Sequence, residues 1–164
     1  MSLFSSALHV KAAKVLSAAL ARKFTICTVE SCTGGLVAGC LTEIAGSSAV
    51  VDRAFVTYSN LAKQQMVGVP ADLIEAHGAV SEPVARAMAE GGIRVSGASL
   101  SVAITGIAGP GGGSVEKPVG LVHFAAARAD ETLHQVRQFG DLGRTEIRLR
   151  SVDAALDLLL AMMD

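Results

Sequence analysis

Apolar and polar residues follow two rhythms along this chain, one near 3.6 residues and one of two, and their order sketches an architecture. Leu8, Ala12, Val15, Leu16 and Ala19 share one helical face with Lys11, Lys14 and Arg22 largely off it, which predicts an amphipathic helix ending before Phe24. Residues 24–29 (F-T-I-C-T-V) alternate and are rich in β-branched and aromatic side chains, as a strand entering a core should be. From Gly34 the apolar spacing turns helical, with Gly46 as the expected C-cap and Ser47-Ser48 opening a loop. Residues 50–58 predict a second strand, after which Asn60 is expected to cap a short helix with Lys63 in its first turn. Pro70 opens a helical stretch to His77 that Gly78 ends, and Ser81-Glu82-Pro83 opens a longer helix running to Gly91-Gly92. Residues 99–105 predict a third strand. Residues 119–127 and 132–139 predict two more, paired because only residues 128–131 separate them. Ile147, Ser151, Ala154, Leu158 and Ala161 mark a terminal amphipathic helix beginning near Arg144. Five strands interleaved with helices make an α/β fold.

Composition narrows the function classes. A chain of 164 residues, half of them apolar, is expected to form one domain over residues 1–164. Lys and Arg nearly balance Asp and Glu without basic runs, which argues against nucleic acid or an anionic membrane surface as partner and favours a small ligand. No apolar run approaches the ~20 residues of a membrane span, and the N-terminus lacks a signal-peptide pattern, so a cytoplasmic location is expected. Cys27, Cys32 and Cys40 are odd in number and form no C-x-x-C pair, while His9, His77, His123 and His134 are scattered; neither a disulfide framework nor a metal site is expected. The apolar faces of the first and last helices suggest a homodimer.

The candidate chemistry gathers at strand ends. Residues 28–35, T-V-E-S-C-T-G-G, place Glu30, Ser31, Cys32 and Thr33 at a strand-to-helix turn, the carboxyl end of a strand where open α/β sheets bind ligands. Ser31 is a candidate nucleophile, and equally Ser31 or Thr33 is a candidate helix cap. Cys32 is a rival nucleophile, since a thiolate benefits from the same helix terminus. The second strand ends on Tyr58, the only tyrosine, followed by Lys63; a lysine becomes a general base when burial lowers its pKa, and is otherwise solvated. The third strand runs into G-I-A-G-P-G-G-G-S (106–114), which matches neither a P-loop nor a dinucleotide fingerprint, but whose glycines would let backbone amides approach a phosphate or carboxylate. A flexible connection is the plainer reading of that loop taken alone. Arg144 and Arg148 stand near the start of the last helix, where a cation opposes the dipole unless an anion or carboxylate holds it.

E-S-C-T-G-G (30–35), Y-S-N-x-x-K (58–63), H-G-A-V-S-E (77–82) and I-T-G-I-A-G-P-G-G (104–112), followed by E-K-P-V-G (116–120), together resemble the C-terminal domain of the CinA family, whose members include nicotinamide-nucleotide amidases. The resemblance covers nearly the whole chain in the family's order. It implies a three-layer α/β/α sandwich with a mixed central sheet. It also implies hydrolysis of nicotinamide mononucleotide to nicotinate mononucleotide and ammonia, with no cofactor. Carried over by position, it makes Ser31 the acyl-forming nucleophile, with Lys63 and Tyr58 as proton-transfer partners. Glu30, Cys32, Thr33, Gly34, Gly35, Thr105, Gly106, Gly109, Gly111, Gly112 and Arg144 then belong to the substrate site. The family's phosphate-contacting arginine closely follows a Gly-Asp step, and here Leu142-Gly143 intervene, which leaves Arg144 and Arg148 as alternatives. Competing expectations are a nucleotide-binding module without catalysis and a protein-interaction domain.

Overall fold

The computed structural model describes residues 2–164. Two strands with almost no polar face, β1 (Ile26–Glu30) and β3 (Leu100–Gly106), are buried over nearly their whole length, which requires cover on both faces and neighbours on both sides. They lie in the middle of a mixed sheet of order β2-β1-β3-β4-β5. β2 (Val51–Val56) and β1 are parallel, as are β1 and β3. β4 (Leu121–Arg128) and β5 (Glu131–Gln138) continue it antiparallel as the expected hairpin. β2 and β5, the edges, carry the exposed residues.

Helices cover both faces and make the expected three layers. On one side α1 (Ser6–Ala21), α2 (Leu36–Thr42) and α6 (Arg144–Ala161) close a core that includes Val15, Leu16, Ile104, Phe124 and Leu156. On the other, α3 (Asn60–Val67), α4 (Ala71–His77) and α5 (Glu82–Ser96) bury Val29, Val67, Met88 and Ala103. Lys11 of α1 reaches Asp153 at 2.6 Å and Asp157 at 2.8 Å on α6. The apolar faces of α1 and α6 that suggested a dimer are thus largely spent on each other and on the sheet.

Several boundaries differ from the sequence expectation. Ser59, not Asn60, caps α3, its hydroxyl accepting from the Ala62 amide at 3.0 Å. α2 begins only at Leu36 because Gly34 and Gly35 take left-handed φ, and it ends before Gly46, which instead opens a 3-10 turn. α5 runs through Gly91-Gly92 to Ser96. Tertiary packing overrides the glycine stop signal there: a Cβ at Gly91 would collide with the Val67 carbonyl, so the glycine lets α5 close on the end of α3.

Candidate active site

Parallel pairing brings the key groups together. Glu30, the last residue of β1, is in register with Val56 on β2 and Ile104 on β3. The chain on either side is then tied across: the Thr57 amide donates to the Glu30 carbonyl at 2.8 Å, and the Ser31 amide to the Ile104 carbonyl at 2.9 Å. Ser31 leaves β1 at the point where α3 starts beyond β2, and α3 carries Lys63 inward. Lys63 is 1% exposed and Ser31 8%.

Lys63 Nζ lies 3.1 Å from Ser31 Oγ, 2.9 Å from the Thr57 carbonyl and 3.5 Å from the Tyr58 carbonyl. No carboxylate stands within ion-pair distance of it among the described residues. Burial without a counterion lowers its pKa, because desolvation penalises the ammonium. Nζ donates to both carbonyls and to Ser31 Oγ; an amine that has lost one proton keeps the two carbonyl bonds and can turn its lone pair to the Ser31 hydroxyl.

Cys32, the rival nucleophile, also touches the cavity, but burial pushes its thiol up to about 12, with Glu30 raising it and the nearby Arg148 and Lys63 only partly opposing. A thiol protonated at neutral pH is a poor nucleophile.

The hydroxyl and amine open into a cavity of about 310 Å³ walled by Ala79 and Val80 before α5, Thr105 and Gly106 at the end of β3, Ala108, Asn60 and Arg144. Thr105 is fastened to the wall, its Oγ1 donating to the Ala79 carbonyl at 2.8 Å. A larger groove of about 540 Å³ lies between α1, α6 and β5, and it holds no serine–lysine pair.

Other expected site residues stand elsewhere. Glu30 faces away from the cavity: its carboxylate accepts from the amides of Gly35 (3.0 Å), Val37 (3.1 Å) and Ala38 (2.9 Å) and from Thr28 Oγ1 (2.9 Å). It is the internal anion of the α2 N-terminus, occupying amides that would otherwise be open to a ligand. Gly34 donates to the Ser31 carbonyl, so Gly34 and Gly35 offer no free N–H. Tyr58 contributes only its carbonyl to Lys63; the residue is 61% exposed and its hydroxyl accepts from Arg144 Nη2 at 3.3 Å. Gly111 and Gly112 sit on the exposed part of the glycine-rich loop, while Gly109, further in, accepts through its carbonyl from Arg144 Nη1 at 2.8 Å. Thr33 is fully buried beside Ser31, its hydroxyl without a partner.

The two arginines separate. Arg144 spans the mouth from the glycine-rich loop to Tyr58. Arg148 turns beneath the Ser31 turn, its Nε donating to the Cys32 carbonyl at 3.0 Å and its Nη2 to the Thr33 carbonyl at 3.2 Å. Sequence reasoning read Asn60 only as a helix cap and did not single out Ala79, Val80 or Ala108. The last three carry no reactive group, and their only signal was their position inside the H-G-A-V-S-E and I-T-G-I-A-G blocks. Among the described residues no cluster of three or more metal-ligating side chains occurs, and no helix is long and apolar enough to cross a membrane.

A three-layer α/β/α domain with a mixed sheet, presenting a buried serine–lysine pair at the carboxyl ends of parallel strands, defines the class of protein. The chain belongs to the CinA C-terminal domain family, whose model matches residues 9–163. It is similar to a CinA-like protein of Mycobacterium sp. (strain JLS), 56% identical over 144 residues, covering 87% of this chain and 34% of that protein. A CinA-like protein of Anaeromyxobacter dehalogenans (strain 2CP-C) is 53% identical over 88% of this chain and 35% of its own length. The chain thus spans about a third of these relatives. Among solved structures, the competence/damage inducible protein CihA from Agrobacterium tumefaciens superposes with TM-score 0.98 at 52% identity over 100% of both chains. A CinA superfamily protein from Escherichia coli gives 0.91 at 30% identity, over 98% of this chain and 94% of that one.

Proposed function

We propose that this domain is an amidohydrolase that converts nicotinamide mononucleotide to nicotinate mononucleotide and ammonia through a Ser31 acyl-enzyme. The observation that carries the reading is the 3.1 Å approach of a buried, uncompensated lysine amine to the serine hydroxyl. Neutral Lys63 takes the Ser31 proton as Oγ attacks the carboxamide carbon, giving a tetrahedral intermediate with its charge on oxygen. That intermediate collapses with cleavage of the C–N bond, and Lys63 returns the proton to the departing nitrogen, which leaves as ammonia. Water then attacks the acyl ester, Lys63 accepts its proton and passes it to Ser31 Oγ, and the carboxylate product leaves.

The phosphate needs an anchor outside the reacting centre. Arg144 lines the cavity and holds only a carbonyl and a phenol, neutral partners that a phosphate dianion displaces with gain. Arg148 is engaged on two carbonyls behind the turn, so of the two arginines Arg144 is the better phosphate ligand.

Ammonia release from nicotinamide mononucleotide is the direct assay. The expected result is turnover by the intact protein and its loss in Ser31→Ala. Nucleotide binding without any ammonia release would replace this reading with a non-catalytic binding module.

A further inference from the structure

The nucleophile turn has little freedom left in its own amides. Gly35, Val37 and Ala38 give theirs to the Glu30 carboxylate, Gly34 gives its own to the Ser31 carbonyl, and Leu36 to the Thr33 carbonyl. Among the described residues, the amides of Cys32 and Thr33 alone in residues 31–35 lack an acceptor on another residue. They directly follow Ser31, and an oxyanion on a carbon bonded to Ser31 Oγ needs donors of that kind.

The orientation of these two amides follows from Arg148. A peptide unit is planar and trans, so fixing its carbonyl fixes the N–H on the opposite side. Arg148 Nε holds the Cys32 carbonyl, which turns the Thr33 N–H away from α6. Arg148 Nη2 holds the Thr33 carbonyl, which sets the Gly34 N–H; that group holds the Ser31 carbonyl and thereby sets the Cys32 N–H. A cation on the carbonyl oxygens also polarises the same peptides, making their N–H groups stronger donors. The buried, unpartnered Thr33 hydroxyl lies in this same turn.

We propose that Arg148 is a positioning residue: by clamping the Cys32 and Thr33 carbonyls it fixes the turn and so aims the Cys32 amide, the one of the two that borders the cavity, as the oxyanion donor of Ser31. This rests on Ser31 being an acylating nucleophile and not on which amide is the natural substrate. The guanidinium touches no substrate atom. A lysine keeps the charge but loses the fork that spans two carbonyls, so Arg148→Lys is not conservative here.

The test uses a fluorophosphonate probe on the full chain. Ser31 Oγ bonds to phosphorus, the P–F bond breaks, fluoride leaves, Lys63 takes the serine proton, and the phosphoryl oxygen occupies the oxyanion site without any nucleotide phosphate being present. The wild type is expected to label at Ser31 and Ser31→Ala not at all. Arg148→Met is expected to label about 10²–10³-fold more slowly, the size of losing an oxyanion donor, with Arg148→Lys between them. With nicotinamide mononucleotide the same variants should lose kcat while KM stays within about twofold, as for an interaction made only in the transition state. Unchanged labelling with a lowered Tm in both variants would reduce Arg148 to a structural role. Unchanged labelling with a raised KM would make it a phosphate ligand. A wild type that labels at Ser31 but releases no ammonia would overturn the substrate and leave Arg148 in place, whereas a wild type that does not label would remove the nucleophile and this role together. Should Arg148→Met fail to fold, the labelling rate of folded Arg148→Lys decides.

Discussion

Lys63 Nζ stands 3.1 Å from Ser31 Oγ although 32 residues separate them, because β1 and β2 run parallel and both chain directions open onto the same end of the sheet. The amine is both buried and unpaired with any carboxylate, and that combination makes it basic only as a neutral group. Burial lowers its pKa from the 10.5 of an ordinary lysine. On the proposed mechanism the deprotonated form is the active one, so kcat/KM should rise with pH through a midpoint below 10.5. Lys63→Met should lower kcat/KM by about 10²–10⁴-fold, the usual weight of a general base, in a protein that circular dichroism shows to be folded. Retention of full turnover in Lys63→Met would end the base assignment.

Glu30 is a structural anion. In Glu30→Gln one carboxylate oxygen becomes an NH₂ group facing backbone N–H donors, so at least one amide of the α2 start loses its acceptor. Urea denaturation should show a loss of about 1–3 kcal/mol, the cost of an unsatisfied buried donor. A midpoint equal to the wild type would mean that α2 does not depend on this carboxylate.

Tyr58 and Lys63 divide differently from the sequence expectation. The phenol meets Arg144 at the cavity mouth and not Lys63, so Tyr58→Phe removes an anchor for the arginine and no proton carrier. Steady-state kinetics should show a raised KM for the phosphorylated substrate with kcat changed by less than about tenfold, against the 10²–10⁴-fold expected of a proton-transfer group. A collapse of kcat at constant KM would restore Tyr58 to proton transfer.

Acid sensitivity should come from a histidine pair beneath the start of α5. His123 Nδ1 lies 3.0 Å from His134 Nε2, with Glu82 3.5 Å from the other nitrogen of His134. Both rings hold their pKa below the ordinary 6.5: burial does most of this, helped at His123 by His134 and Lys117, while at His134 the Glu82 carboxylate opposes it and Arg86 adds to it. A base with a lowered folded-state pKa takes its proton first in the unfolded chain. Stability is therefore full above about pH 6.5 and falls as the pH drops toward the folded values. Thermal melts between pH 7.5 and 5 should show this decline in the wild type and a flatter profile in the double variant His123→Gln, His134→Gln. Equal slopes in both proteins would place the acid sensitivity elsewhere.

The sequence alone determined the elements, because period 2 and period 3.6 are local properties of side-chain alternation. It also marked the groups able to react, since Ser31 at a strand-to-helix turn and Lys63 in the first turn of a helix are legible as chemistry before any contact is known. It misplaced α2 and α5 by a few residues for a physical reason: glycines that look like stops serve a left-handed turn at Gly34-Gly35 and a close helix contact at Gly91. Only the tertiary structure decided which way each polar side chain turns. Glu30 and Ser31 are adjacent in sequence and leave β1 on different errands, one into the helix N-terminus and one toward Lys63. Arg144 and Arg148, one helical turn apart and equivalent on paper, reach the cavity mouth and the back of the Ser31 turn because α6 passes behind that turn after starting at the mouth. The same holds for His123 and His134, which only strand register makes neighbours. Orientation, burial and the resulting pKa belong to packing between distant segments, and no local pattern encodes them.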